Sequence, residues 1–305
     1  MKTIAITGCT GTIGIALIKE CLKQKINVLA FVKPGSINES RIPVDDSVKK
    51  IYCGLDDIAN FETGDLKADA FIHLAWSGTI GKTRDKTQLQ IDNIKYALDS
   101  VDLAEKLGCK IYIGAGSQAE YGRKEFAIKE NMAAEPETAY GIAKLCAGQI
   151  TRAYCREKGI CHIWPRIFST YGPFTQPDSI INYTIRKLLL NETPELTGCE
   201  QIWDFIYVDD AARAILKLVD NGRDGEIYNI ASGQTKTLRE YLKVIELEVG
   251  LQDKCAFGIV DYSAGTVMHL EGCIDKLQRD TGYKPEVSFE EGVRRTVEWG
   301  RNYYK

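Results

Sequence analysis

The sequence predicts an α/β protein: a doubly wound parallel sheet followed by a smaller, mostly helical C-terminal lobe. Three observations lead there. Short apolar runs of strand length alternate with stretches of helical periodicity through the first half. A glycine-rich turn joins the first run to the first helix, and the alternation loosens beyond Tyr171-Gly172-Pro173.

Each element has its own reason. Ile4–Thr7 is a short buried strand, and Ile13, Ala16, Leu17 and Cys21 recur at helical spacing through Ile13–Lys25. Asn27–Val32 is a second strand, closed by the turn residues Lys33-Pro34-Gly35-Ser36. Val48–Cys53, Ala70–Leu74 and Lys110–Gly114 follow as strands, the last two separated by a long helix, roughly Lys86–Leu107, with Gly108 as its C-terminal cap. The helix Thr138–Lys158 ends at Gly159 and feeds the strand Ile160–Ile167. Such alternation implies right-handed crossovers with helices on both faces of the sheet. Ile202–Tyr207, leading into the helix Asp209–Val219, and Glu226–Ile230 read as further strands of that sheet. The expected division is residues 1–173 plus about 201–231 for the sheet domain, and 174–200 with 232–305 for the lobe. No low-complexity linker or internal repeat separates them, so the cleft between them is the expected substrate site.

Composition excludes several classes. Hydrophobic residues make up 44% and charged residues 27%, ordinary for a globular enzyme, and a net charge of -3 gives no reason to expect nucleic acid or an acidic membrane as partner. The 10 cysteines are scattered singly and the 3 histidines lack ligand spacing, so no metal site is expected. The cysteines read as small buried apolar residues of a reducing cytosol. With no signal peptide before the first strand, and no apolar stretch near the length of a membrane span, the expectation is a soluble, cytoplasmic protein.

The turn Gly8-Cys9-Thr10-Gly11-Thr12-Ile13-Gly14 lies between a strand and a helix. Glycine there permits a tight turn, close approach of backbone to a pyrophosphate, and close helix–strand contact. The helix N-terminus adds free N–H groups and a partial positive charge. Gly8, Thr10, Gly11, Thr12, Ile13 and Gly14 are therefore the expected dinucleotide cradle of a Rossmann-type sheet. The second strand ends Ala30-Phe31-Val32-Lys33, without the carboxylate that usually holds the ribose 2'-hydroxyl of NAD. Lys33, with Ser36 and Arg41, suits a 2'-phosphate, so NADP is favoured and NAD stays open.

Tyr140 and Lys144 stand four apart on one helix face. A lysine cation beside a tyrosine lowers the cost of phenolate, which suits proton exchange with a carbonyl or alcohol. The pair follows the loop Gly114-Ala115-Gly116-Ser117, which points a hydroxyl toward the same sheet edge.

With these motifs the sequence resembles the extended short-chain dehydrogenase/reductase family, the NAD-dependent epimerase/dehydratase group, over essentially the whole chain. Residues 69–76 (DAFIHLAW), 117–122 (SQAEYG), 140–144 (YGIAK), 165–173 (PRIFSTYGP), 203–210 (WDFIYVDD), 228–233 (YNIASG) and 282–285 (GYKP), with Trp299, carry the likeness. The resemblance implies that Ser117 hydrogen-bonds the substrate oxygen, that Tyr140 moves the proton, and that Lys144 holds the nicotinamide ribose and tunes Tyr140. It implies further cofactor contacts at Leu55, Leu74, Ala75, Trp76, Pro165 and Ile167, and makes Asn93 the mid-helix asparagine that supports the site. It also implies a nucleotide-sugar substrate and a homodimer.

Three departures bear on the reaction. Relatives that dehydrate nucleotide-hexoses carry an Asp-Glu pair after the catalytic hydroxyl residue; here Gln118 and Ala119 stand there, which disfavours dehydration. Ser169 and Trp203 replace an asparagine and an arginine common in the family. The expected activity is NADPH-dependent reduction of a 4-keto-deoxysugar on a nucleotide, with a 4-epimerase holding NAD as alternative and a dinucleotide-sensing regulator as the reading from another class. Glu120 reads either as an extra acid or as a turn residue; Trp203 as a base platform or a lobe filler; His73 as a core histidine. Arg166 and Arg213 are candidates for a diphosphate or for ordinary pairing.

Overall fold

The computed structural model describes residues 2–304. Its centre is an eight-stranded, all-parallel sheet assembled from β1 (Thr3–Thr7), β2 (Asn27–Val32), β3 (Val48–Tyr52), β4 (Ala70–His73), β5 (Ile111–Gly114), β6 (Gly116–Ser117), β7 (Cys161–Ile167) and the strand Glu226–Ile230. Across the sheet the order is Glu226–Ile230, β7, β5, β4, β1, β2, β3, with β6 prolonging the line of β5 against β7. The order reverses between β1 and β4, so a crevice opens outside their carboxyl ends.

Burial on both faces explains why the strands read as unbroken apolar runs. Ile4, Ile6, Ile72, Ile113 and Ile163 point to one side, against α1 (Thr12–Lys23) and the later helix Val208–Asn221. Ala5, Phe71 and Tyr112 point to the other, against α2 (Thr87–Lys106) and α3 (Ala139–Glu157). Gly108 and Gly159, just beyond α2 and α3, take φ of +79° and +67°, the left-handed turn that ends a helix. Helices Ile180–Leu189, Leu238–Val249 and Phe289–Tyr303 pack on one another as a smaller layer, bound together by rings such as Tyr241 and Phe289, 4.4 Å apart, whereas the helix Asp275–Thr281 packs on the helix Val208–Asn221 and the strand Glu226–Ile230 of the sheet.

One expected strand of the sheet belongs elsewhere. Ile202–Tyr207 is two short strands, neither in the central sheet. Ile202–Trp203 lies between Lys236–Thr237 and His269–Leu270, while Phe205–Tyr207 pairs with Ser169–Tyr171. Asp204 divides them: its buried carboxylate accepts from Ser232 N and Oγ and from Gly233 N, turning the chain inward at that point. Among the described residues no helix is long and apolar enough to cross a membrane, and no group of three potential ligands surrounds a metal position.

Two histidines make the fold acid-sensitive. His73 hydrogen-bonds Thr7 Oγ1 at 2.9 Å and His162 hydrogen-bonds Thr151 Oγ1 at 3.0 Å, and burial pulls them down to about 3 and about 4. Both stay neutral in the folded chain while the unfolded chain takes up protons below about 6.5. Their stabilisation is therefore complete above that value and is lost as pH falls through it toward 4. Urea unfolding between pH 7.5 and 5 is expected to show a loss approaching about 1.4 kcal/mol per pH unit for each histidine, halved in His162→Gln. A flat profile would contradict the assignment.

Candidate active site

The crevice is a cavity of about 1340 Å³ running from the glycine turn to the smaller lobe. At one end Gly8, Thr10, Gly11, Thr12, Ile13 and Gly14 line it, with Lys33, Leu55, Leu74 and Ala75 beside them. Gly8 is at φ +70°, and a Cβ there would meet Ala75 N at 2.6 Å. The start of α1 has Gly11 at its cap, no side chain capping its N–H groups and no acid in its first turn. Those N–H groups are left for an anion, so the turn fits a dinucleotide diphosphate. Thr12 Oγ1 donates to Phe174 O at 2.9 Å, tying the turn to the lobe.

At the middle of the cavity Ser117, Tyr140, Lys144, Trp76 and Ile167 converge. Ser117 caps a single 3-10 turn, Gln118–Glu120, accepting from Ala119 N, while Glu120 Oε1 accepts from Ser117 N at 2.8 Å. Thr138 caps α3 by accepting from Gly141 N, which sets Tyr140 and Lys144 in the first two turns. Lys144 Nζ is buried, donates to Ala115 O at 2.6 Å and lies 3.6 Å from the centre of the Trp76 ring. Burial pulls its ammonium down to about 7. Burial also pushes the Tyr140 phenol up, and the Ser117 hydroxyl and the Arg84 guanidinium draw it back. A proton can thus pass between Tyr140 and an oxygen seated by Ser117, with a partly discharged lysine behind them.

Two expected contacts lie outside the cavity wall. Asn93 is buried on α2 and works one layer back: its Oδ1 accepts from Ser77 N at 2.9 Å and its Nδ2 donates to Ser77 O at 2.8 Å, fixing the loop after Trp76. Pro165 sits in β7 opposite Tyr228, two residues before Ile167, and does not line the crevice. Ser36 and Arg41 are also off the wall; Arg41 lies over the Phe174 ring at 4.7 Å.

The open alternatives resolve physically. Glu120 is a fully buried anchor that takes Arg166 Nε at 2.7 Å and Trp164 Nε1 at 3.0 Å, which also removes Arg166 from the cavity. Arg213 is paired with Asp210 and Glu286. His73 is a neutral core histidine. Trp203 lines the cavity and donates to Ser169 Oγ at 2.8 Å, so wall and lobe share it. Sequence reasoning missed Arg84, which lies 4.5 Å over the Tyr140 ring. Its turn, Gly81–Asp85, has no periodicity that would have flagged it.

Residues 4–231 match the NAD dependent epimerase/dehydratase family, and the chain belongs to that family of extended short-chain dehydrogenase/reductase enzymes. A dTDP-glucose 4,6-dehydratase of Shigella flexneri is 32% identical over 177 residues; the match spans 56% of this chain and only 49% of that relative's length. A CDP-abequose synthase of Salmonella muenchen is 25% identical over 97% of each chain. Among solved structures, a UDP-glucuronic acid 4-epimerase from Bacillus cereus in complex with UDP-glucuronic acid and NAD superposes with a TM-score of 0.86 at 22% identity, covering 99% of this chain and 100% of that one. At that identity the likeness is one of fold.

Removing the carboxylate beneath the Ser117 turn tests how the site is held. Glu120→Ala leaves the Arg166 guanidinium buried without its partner and is expected to cost about 3–5 kcal/mol in urea unfolding. Glu120→Gln keeps an acceptor for Ser117 N and is expected to cost less. Equal stability of the alanine variant and the parent would refute the anchoring role.

Proposed function

We propose that the chain is an NAD(P)-dependent oxidoreductase acting at C4 of a nucleotide-linked sugar, reducing a 4-keto group, that of a deoxysugar, with NADPH. The observation that carries this reading is the meeting of Ser117, Tyr140 and Lys144 in one cavity with the glycine turn. The dinucleotide, when bound, supplies a hydride to the ketone carbon and is oxidised in doing so. The chain's own part is to seat the ketone oxygen at Ser117 and to give it the Tyr140 proton, so that the ketone becomes an alcohol. Water then restores the tyrosine proton.

Two further observations favour reduction. No carboxyl pair follows Ser117, and Glu120 is consumed by Arg166, so the groups that would remove water are absent from that turn. At the adenosine end, the Glu39 carboxylate is held by Lys50 and Tyr52, whereas Lys33 lines the cavity with no partner among the described residues. That leaves Lys33 as an unpaired cation at that end, with the Asp56 carboxylate on the same wall engaged by the Tyr96 hydroxyl, which suits NADP. The second reading, a 4-epimerase with tightly held NAD, draws support from the shared fold of the Bacillus cereus epimerase.

Loss of reduced-nicotinamide absorbance with a nucleotide 4-keto-sugar separates these readings, since an epimerase gives no net change. Tyr140→Phe is expected to lower turnover by about 10²–10⁴ while dinucleotide binding persists. In the same assay Lys33→Glu is expected to weaken NADPH about tenfold relative to NADH. Full turnover by Tyr140→Phe would end the catalytic reading; dinucleotide binding with no turnover of any nucleotide sugar would favour a sensor.

Ile91 on α2 and Ile142 and Ile150 on α3 are exposed on the pair of helices that pack together on one face. A homodimer through this face, in the cytoplasm, completes the proposal. Sedimentation is expected to give a dimer that Ile142→Lys with Ile150→Lys dissociates, and a monomeric parent would refute it.

A further inference from the structure

The turn Gly81–Asp85 carries a cation that the reaction as written leaves unused. Arg84 lines the cavity, and its guanidinium lies over the Tyr140 ring, 4.5 Å from the centroid. Its Nε is buried without an acceptor, and among the described residues no carboxylate pairs with it. Arginine stays charged at every working pH, so this charge is permanent.

The seat is fastened from α2. Gln90, buried there, donates Nε2 to Gly78 O at 2.9 Å and to Thr83 O at 3.3 Å, and accepts Trp76 Nε1 at 2.8 Å. With Asn93 gripping Ser77, the backbone on either side of the turn is held to one helix, and the residue next to Arg84 is held directly.

Lys144 is partly engaged elsewhere. Its ammonium rests on Trp76 and on Ala115 O, 5.8 Å from the Tyr140 ring centre. The groups that face Tyr140 are therefore Arg84 from the turn, Lys144 from its own helix, the Ser117 hydroxyl from β6, Glu120 behind it already paired with Arg166, and the Trp76 ring at 6.2 Å. A guanidinium over a ring face is held by the π-electrons, and more strongly once the ring carries the phenolate charge.

We propose that Arg84 is a positioning residue for Tyr140: it holds the ring against its guanidinium and is the fixed cation against which the phenolate forms. The proposal rests on Tyr140 as the proton-transfer group and assigns to Arg84 part of the charge role otherwise left to Lys144 alone.

The test needs no sugar. Phenolate absorbance is titrated in the protein loaded with NADP+, and again with NAD+, after subtraction of the same titration of Tyr140→Phe. Arg84→Met is expected to move the Tyr140 midpoint up by about one pH unit, a tenfold loss of phenolate at fixed pH. Arg84→Lys is expected to restore part of that shift, and Arg84→Gln, which keeps donors but no charge, to behave as methionine does and to stand in for it if that variant fails to fold. Equal midpoints in the parent and both uncharged variants overturn the proposal, as does a parent in which no Tyr140-dependent phenolate forms while the fold persists. Full turnover by Tyr140→Phe would instead remove the functional reading and leave the titration as it stands, so the two failures are distinct.

Discussion

The buried ion pair between Glu120 and Arg166 is the constraint on which the rest of the site depends. Two charges taken out of water are costly unless their remaining hydrogen-bonding capacity is filled. Here Glu120 receives Ser117 N, Trp164 Nε1 and Arg166 Nε, and the guanidinium lies over the Tyr121 ring at 4.2 Å. Tyr121 in turn donates to Asn229 Oδ1 at 2.7 Å, in the last strand of the sheet. One carboxylate thereby fixes a short turn against two strands, and the hydroxyl of Ser117 inherits that rigidity. The indole of Trp164 completes the arrangement. A Cβ on Gly114, Gly116 or Gly148 would fall within 3.0 Å of it, so those glycines are the room the indole occupies.

Most of this scaffold was legible before any coordinates, for a reason of geometry. A strand buried on both faces has to be apolar throughout, and a helix covering it has to repeat its apolar residues every third or fourth position. Strands β1, β2, β4, β5 and β7 and helices α1 to α3 announce themselves in this way to within a residue or two. The glycine turn was legible because backbone conformation there leaves few residues to choose from: Gly8 has positive φ, and a Cβ on Gly14 would meet the backbone of Cys9. Tyr140 and Lys144 followed from helical spacing. Ile202–Tyr207 did not, because an extended apolar run carries no mark of which sheet it joins. That choice belongs to Asp204 and the distant Ser232 and Gly233.

The residues that the sequence leaves open or unmarked share a cause as well. Glu120, Arg84 and Gln90 matter through partners 46, 56 and 14 positions away or fewer, and pairwise spacing in a sequence does not encode such contacts. Of the two β7 residues expected to meet the cofactor, Ile167 lines the crevice, while Pro165, two residues earlier on the same strand, is off its wall. Asn93, expected as a support, ends its hydrogen bonds on Ser77 rather than on the cavity.

The charges around the cavity follow a consistent division. Carboxylates near it are mostly spent on protein partners: Glu39 on Lys50 and Tyr52, Asp56 on Tyr96, Glu120 on Arg166, with Glu195 exposed at the lobe rim. Cations are kept free of carboxylates, Lys33 at one end and Arg84 and Lys144 at the centre, among the described residues. His73, which would add charge beside Lys144, is held neutral by burial. The stretch from Lys33 through Arg84 and Lys144 favours anionic ligands, and the α1 N-terminus extends it to the diphosphate position. The Arg84 guanidinium in that stretch also favours loss of the Tyr140 proton, whereas the Lys144 ammonium is pulled down by burial and drawn back up by Glu120, so ligand attraction and proton transfer share Arg84 while Lys144 answers to its buried seat.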